Sequence, residues 1–142
     1  MIEKYIYEYS AGAILYTRIE EELYFVLVQE LDGHIGFPKG HLEKGETEIG
    51  AAKREIKEET DIDATFVEGF MEDVEYEKEM HIMKHVTYFL ATYDNQEVSG
   101  KENEIMKLFL LPYKQALSKV TYNNSKELLQ KAMDYIGKNN TK

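Results

Sequence analysis

The chain has 142 residues, of which 27 are acidic and 17 are lysine or arginine, so its formal net charge is -10. This length suits one domain with an ordinary core and leaves no room for a second. The negative charge argues against a duplex nucleic-acid binder, because such proteins neutralise phosphates with lysine and arginine. Cysteine is absent, which excludes disulfides and thiolate metal sites. No apolar run approaches about 18 residues, and the N-terminus lacks the apolar core of a signal peptide, so we expect a cytoplasmic protein without a membrane partner.

The first part of the chain has the composition of two strands. Residues 4–17 and 23–29 combine apolar, β-branched and aromatic side chains, and the charged residues 18–22 between them are typical of a hairpin loop. We therefore expect the two strands to pair antiparallel. Glycines and a proline then interrupt the short segment HIGFPKG, which we expect to be a loop with a fragment of strand.

A segment rich in carboxylates follows at residues 40–62, with the sequence GHLEKGETEIGAAKREIKEETDI. Residues 40–45 are bounded by glycines and are expected to form a loop, whereas Thr47 can cap a helix over residues 48–60. The apolar side of that helix would be formed by Ile49, Ala52 and Ile56. Because this side lies about 100° around the helix from Glu55, the helix can bury one face in a core and expose carboxylates to a cleft.

Three carboxylates share one face of this predicted helix. Glu55, Glu58 and Glu59 are spaced i, i+3 and i+4, so their side chains project from the same side. Like charges at that spacing repel one another unless a cation lies between them. Oxygen ligands suit Mg²⁺, Mn²⁺ or Ca²⁺, and Mg²⁺ is commonly shared between carboxylates and substrate phosphates. The three residues therefore predict a metal site for phosphate chemistry.

A solvated, charged helix face is the alternative explanation of these carboxylates. The spacing argues against it, because eight positions follow the pattern G-x5-E-x7-R-E-U-x-E-E-x-G-U, in which U is bulky and aliphatic. These positions are Gly40, Glu46, Arg54, Glu55, Ile56, Glu58, Glu59 and Ile62. The pattern resembles the signature of the Nudix hydrolases. The second glycine of that signature is Asp61 here, which we expect to be tolerated because Asp can adopt the left-handed conformation that ends the helix.

The rest of the chain predicts three further strands and two helices. Strand composition is found at residues 64–76, 80–93 and 107–111, with a turn or loop at residues 77–79. Pro112 is suited to start one helix, and Asn124 to start a second helix that Gly137 would end. Residues 1–137 would thus form a single α+β domain, followed by a frayed C-terminal tail at residues 138–142.

The resemblance implies a fold and gives roles to the residues of the motif. It implies an α/β/α sandwich, in which a mixed sheet lies between helices and a loop-helix-loop segment carries the catalytic groups. Glu58 and Glu59 match the principal ligands of a Mg²⁺ or Mn²⁺ cofactor, and Gly40 matches a glycine whose carbonyl faces the metal. Arg54 lies four residues before Glu58, so it can hold that carboxylate in place or form a plain surface ion pair.

The general base has three candidates. Glu55 matches a position that either binds a further metal ion or acts as the base in the resembled family. That family also places an acidic residue in a late loop as an extra ligand or base, and Glu104 lies at this position, eight residues before Pro112. Glu102 competes with it, and charge spacing does not choose between the two.

Four further residues are candidates for substrate binding. Lys39 and His41 flank Gly40 and can meet a phosphate as a cation and a hydrogen-bond donor, although exposed loop residues without a function are the alternative. Tyr76 and Tyr122 are the candidates for stacking on a nucleobase.

The resemblance implies hydrolysis of a nucleoside diphosphate that is linked to another group. The segments AGAILY, GFPKGH, KHVTYFLA and YKQALSKVTYNNSKELLQKA also resemble the animal and archaeal asymmetrical diadenosine-tetraphosphate hydrolases. This implies cleavage of bis(5'-nucleosyl)-tetraphosphate to a nucleoside triphosphate and a monophosphate. Alternatives are a nucleoside-triphosphate or ADP-ribose pyrophosphatase, an RNA 5'-end pyrophosphohydrolase and a non-catalytic ligand sensor of the same fold. The expected partner is a small nucleotide, and both a monomer and a homodimer are left open.

Overall fold

The computed structural model describes residues 4–100 and 105–139. In these ranges the strands are β1 (Ile6–Ile19), β2 (Glu22–Glu30), β3 (Ile35–Gly36), β4 (Lys39–His41), β5 (Thr65–Glu79), β6 (Ile82–Thr92) and β7 (Ile105–Pro112). The helices are α1 (Glu48–Thr60), α2 (Tyr113–Lys119) and α3 (Asn123–Asn139). No helix within the described ranges is long and apolar enough to cross a bilayer.

The described strands form one mixed sheet in the order β3-β2-β1-β6-β5, with β4 paired to β1 and β7 paired to β2. β1 and β2 form the predicted antiparallel hairpin. β1 has the expected length but begins and ends two residues later, and β2 is extended at both ends, so only Glu20 and Glu21 remain as the loop, each with a positive φ as in a tight hairpin turn. β1 also runs parallel to β6, which places residues that are distant in the sequence side by side.

The sheet separates two layers of helix. On β1, Ile14 and Tyr16 belong to a core that includes side chains of α2 and α3, whereas Ala13 and Leu15 belong to a core with Ile56 of α1. Successive residues of a strand point to opposite faces, so the two cores lie on opposite sides of the sheet. This arrangement is the predicted α/β/α sandwich.

Helix α1 has the predicted bounds and both predicted caps. The Thr47 hydroxyl accepts a hydrogen bond from the Gly50 N–H at 3.1 Å, which satisfies one free donor of the first turn. Asp61 is left-handed, with φ 62° and ψ 22°, and its N–H donates to the Lys57 carbonyl. Asp therefore serves at the position where the resembled signature has glycine.

The buried side of α1 agrees with the prediction at Ala52 and Ile56 but not at Ile49. Ile49 was expected in the core but is 46% exposed, whereas Ala51, Ala52, Glu55 and Ile56 are buried. Ala51 and Ala52 pack against Ala11 of β1. The small alanine side chains on α1 and β1 let the helix lie close to the strand. With this face of α1 against β1, Glu55 points inward and Ile49 points outward.

Three predicted boundaries were wrong. Gly40 and His41, which were expected in a loop, belong to strand β4, because their backbone pairs with β1. Residues 77–79 are part of β5 rather than a loop, and the chain reverses at Met80 and His81, where His81 has φ 67°. Helix α3 begins at Asn123 and continues through Gly137 to Asn139. A glycine inside a helix costs about 1 kcal/mol relative to alanine, and the burial of the neighbouring Ile136 offsets that cost. Residues 140–142 of the predicted tail lie outside the described ranges.

Candidate active site

A cavity of about 960 Å³ lies between β4, α1, the strands β5 and β6, and the start of α3. This volume is at the upper end of the range for small-molecule sites. The predicted site residues that fall in the described ranges all line it, namely Lys39, Gly40, His41, Arg54, Glu55, Glu58, Glu59, Tyr76 and Tyr122. Glu104 and its competitor Glu102 lie outside the described residues.

Strand β4 brings Gly40 against the carboxylate of Glu55. β4 pairs with β1 through Gly40 and Ala11, and α1 packs on the same Ala11. Strand β4 and helix α1 therefore meet at Ala11. A Cβ atom built on Gly40 would overlap the Glu55 carboxylate, which is 9% exposed. Glycine at residue 40 therefore leaves the space that the Glu55 carboxylate occupies, and a larger residue would have to displace that carboxylate.

Arg54 makes a two-pronged ion pair with Glu46. Its Nε donates to Glu46 Oε2 at 2.7 Å and its Nη2 donates to Glu46 Oε1 at 2.9 Å. The pKa of Glu46 is lowered to about 2, mainly by these hydrogen bonds and secondly by a hydrogen bond from the Glu43 N–H. The sequence marked Glu46 only as one position of the motif. The structure adds that Glu46 orients the arginine.

The same guanidinium reaches the predicted metal ligands. Arg54 Nη1 lies 3.3 Å from both carboxylate oxygens of Glu58 and 3.2 Å from Glu55 Oε1. Its Nη2 also donates to the His41 carbonyl at 2.9 Å. The predicted Arg54–Glu58 pair is thus present as part of a larger network, which ties the β4 segment to two carboxylates of α1 and limits their rotation.

The carboxyl group of Glu59 has a strongly raised pKa. Burial, and then the negative charge of Glu55, raise its pKa to about 8. The Lys39 N–H donates to Glu59 Oε1 at 3.2 Å, which partly opposes that rise. Without a cation, the Glu59 carboxyl is therefore largely protonated at neutral pH. A divalent cation beside it would compensate the charge and restore the carboxylate.

The oxygen atoms that face this part of the cavity are suitable ligands for a hard divalent cation. Three carboxylates and the backbone of Gly40 supply oxygen only, as Mg²⁺ and Mn²⁺ prefer. Within the described residues, however, no three acidic or histidine side chains converge closely enough to enclose an ion. The reason is visible at Arg54, which holds Glu55 and Glu58 toward its own guanidinium. Glu58, Glu59 and the Gly40 backbone are the oxygen donors that would hold such an ion.

A buried lysine lies beside the predicted phosphate-binding residues. Lys84 of β6 is 6% exposed, and its Nζ lies 3.3 Å from His41 Nε2. Burial lowers the pKa of Lys84. The pKa of His41 is also lowered, mainly by burial and secondly by the positive charge of Lys84. When Lys84 carries its charge, its ammonium group donates and His41 Nε2 accepts, because an ammonium group only donates hydrogen bonds. Lys39 adds a second cation, with its Nζ 3.8 Å from Glu30 Oε1.

Aromatic side chains line the cavity near α3. The hydroxyl of Tyr122 is 2.8 Å from His34 Nε2, and the two rings have centroids 4.8 Å apart. Asp32 Oδ2 lies 3.0 Å from His34 Nδ1. Tyr76, which was predicted near a loop, lies instead inside strand β5 and is 40% exposed. Both tyrosines present ring surface to the same cavity.

Sequence reasoning missed Lys84 and His34. Lys84 has a detectable signal, because it alternates with Val86, Tyr88 and Leu90 along β6 and therefore belongs to their inward face. A lysine that shares the inward face of a strand with core residues is buried, and a buried charge needs polar partners. Such a lysine therefore indicates a polar cavity. His34 has no comparable signal in its glycine-rich segment, since its place depends on Tyr122, which lies 88 residues away in the chain.

These features together describe an enzyme for phosphate chemistry, because carboxylates, cations and tyrosines line one cavity. The NUDIX domain matches residues 7–132, and the chain belongs to that family. Nudix hydrolases act on small nucleotide substrates and generally use a divalent metal ion. The chain is therefore a hydrolase of phosphoric anhydride bonds.

Several characterised proteins are similar to this chain over most of its length. The asymmetrical bis(5'-nucleosyl)-tetraphosphatase of Sus scrofa is 32% identical over 123 residues, which cover 79% of this chain and 80% of that protein. The protein of the same name from Mus musculus is 30% identical over 118 residues, with the same two shares. A binary complex of a C. elegans Ap4A hydrolase matches with a TM-score of 0.85 and 29% identity, covering 92% of this chain and 98% of that chain.

Proposed function

We propose that this protein is a Mg²⁺-dependent pyrophosphohydrolase of dinucleoside polyphosphates, which cleaves diadenosine tetraphosphate asymmetrically to ATP and AMP. The observation that carries the proposal is the composition of one cavity, which is lined by a carboxylate cluster, two lysines and two tyrosines. A tetraphosphate with a nucleoside at each end needs groups of all three kinds. The names of the mouse and pig relatives and of the C. elegans structure support the same substrate.

Glu58, Glu59 and the Gly40 carbonyl are the groups that would hold the metal. When bound, Mg²⁺ would neutralise the phosphates and stabilise charge in an in-line displacement. Arg54 holds the Glu58 carboxylate through its contacts at 3.3 Å, so its role is to position a ligand. A carboxylate takes the proton of the attacking water, and Glu55, Glu102 and Glu104 are the candidates for this base.

Lys39, His41 and Lys84 would bind the phosphates farther from the carboxylates. Lys84 is the strongest of the three as an anion site, because it is buried and its cation is poorly solvated. Tyr76 and Tyr122 would stack on an adenine, and the hydrogen bond between Tyr122 and His34 fixes one of these rings.

A panel assay with Mg²⁺ tests the substrate. Diadenosine tetraphosphate should be cleaved with kcat/KM at least ~10-fold above that of ATP, which corresponds to about 1.4 kcal/mol of extra transition-state binding by the second nucleoside and its phosphates. Hydrolysis in heavy-oxygen water should yield ATP and AMP only. Two molecules of ADP would contradict asymmetrical cleavage, and a preference for ADP-ribose would refute the substrate while leaving the family intact. No hydrolysis of any member of the panel would favour a ligand sensor.

A further inference from the structure

Ser10 of β1 is a buried polar residue in the wall of the cavity. It is 1% exposed, and it lines the cavity together with His41 and Lys84. Its Oγ has no hydrogen-bond partner within the part of the chain that the structure describes. A buried hydroxyl without a partner lowers the stability of a fold, so such a group is uncommon unless it meets a ligand.

The strand register places Ser10 beside the pair of basic side chains. Ser10 is opposite His41 of β4 on one side and opposite Val86 of β6 on the other. Directly opposite residues point to the same face of a sheet, and Lys84 shares that face because it is two residues before Val86. The contact between His41 Nε2 and Lys84 Nζ, at 3.3 Å, therefore spans β1 on the face that carries the Ser10 hydroxyl.

The charge around this point suits an anion. Lys84 can donate one hydrogen to His41 and retains two others, whereas Glu8, which lies directly opposite Lys84 on β1, is paired with Lys78 at 3.4 Å. A phosphate oxygen has several lone pairs and binds best where charged and neutral donors converge. A serine hydroxyl rotates freely and donates in whichever direction an acceptor arrives.

We infer that the Ser10 hydroxyl donates a hydrogen bond to a phosphate oxygen of the substrate, in an anion-binding subsite that it forms with Lys84 and His41. The inference deepens the proposed function and rests on it only for the polyphosphate character of the ligand. It makes Ser10 a substrate-binding residue on β1, outside helix α1 and strand β4, which carry the metal-binding groups.

Calorimetric titration with inorganic tripolyphosphate, in the presence of a metal chelator, tests the subsite without the carboxylate cluster. Ser10→Ala should bind tripolyphosphate about 10-fold more weakly than the wild type, because a hydrogen bond to a charged group is lost. Its melting temperature should be unchanged or higher, because the substitution removes a buried polar atom that has no partner in the folded chain. A purely structural serine would give the opposite change in stability.

Two further variants make the result specific. Ser10→Cys keeps the shape of the side chain with a weaker donor, so it should also bind more weakly. Ser118→Ala is the control, because that exposed hydroxyl bonds only to Gln115 of its own helix; it should bind like the wild type. Equal binding by Ser10→Ala, or no measurable binding by the wild type, would overturn the inference.

Hydrolysis of diadenosine tetraphosphate with Mg²⁺ separates this inference from the proposed function. If the wild type hydrolyses that substrate and Ser10→Ala binds tripolyphosphate normally, the inference fails and the proposed function stands. If binding depends on Ser10 but diadenosine tetraphosphate is not cleaved, the inference stands and the proposed function fails. If both hold, Ser10→Ala should raise KM more than it lowers kcat.

Discussion

Replacing Glu59 by glutamine should stabilise the metal-free protein at alkaline pH while it abolishes hydrolysis. Burial and the charge of Glu55 raise the pKa of Glu59 from its ordinary value of 4.5 to about 8. The folded chain therefore prefers the protonated carboxyl. Glutamine has nearly the same shape, can accept the same hydrogen bond from the Lys39 N–H, and stays neutral at every pH.

The magnitude follows from linkage between protonation and folding. Below pH 4.5 the Glu59 carboxyl is protonated in the folded and unfolded chains, so it costs no stability there. Ionisation becomes progressively costly between pH 4.5 and about 8, and the full cost applies above that range. At about 1.4 kcal/mol per pH unit the upper bound is about 5 kcal/mol, and we expect about half of it because the side chain is partly exposed. For a chain of this size that is roughly 5–10 °C.

The assay is thermal melting in a metal chelator between pH 4.5 and 9. The melting temperature of Glu59→Gln should equal that of the wild type at pH 4.5 and exceed it by roughly 5–10 °C at pH 9. Glu22→Gln, an exposed change at the start of β2, should show no such trend. Mg²⁺ should raise the melting temperature of the wild type more than that of the variant. Equal melting of variant and wild type across the pH range would refute the buried-carboxylate argument.

Three other predictions concern the metal ligands, the glycine and the phosphate-binding loop. Glu58→Gln should lower kcat by at least ~100-fold and leave the circular dichroism spectrum unchanged, because it removes a ligand charge without changing shape; normal turnover would place the site elsewhere. Gly40→Ala should cost about 1–3 kcal/mol in urea unfolding, because its Cβ would overlap Glu55. Gly137→Ala, whose Cβ meets nothing within 4 Å, should instead stabilise by roughly 0.5–1 kcal/mol, and equal effects would contradict the packing argument. Lys39→Ala and His41→Ala should reduce the kcat/KM preference for diadenosine tetraphosphate over ATP more than they weaken Mg²⁺ binding, and an unchanged preference would remove both residues from the phosphate site.

Local sequence was sufficient for the catalytic helix and its caps. The bounds of α1, the Thr47 cap and the left-handed Asp61 all follow from interactions within a few residues, and the structure has each of them. The i, i+3 and i+4 spacing likewise places Glu55, Glu58 and Glu59 along one cavity without knowledge of the rest of the fold. The motif spacing also identified the family, because its positions are related through a single loop and helix.

Contacts between distant segments required the tertiary structure. Lys84, Ser10 and His41 come from three strands whose register is set by hydrogen bonds between β1, β4 and β6. The inward turn of Glu55 depends on the alanines of α1 meeting Ala11 of β1. Strand pairing is determined by the packing of whole faces, and a shift of one residue would move every side chain to the other side of the sheet. The local sequence therefore determined the chemistry of the carboxylate helix α1. The register of the sheet decided that Ser10, His41 and Lys84 lie together in the same cavity.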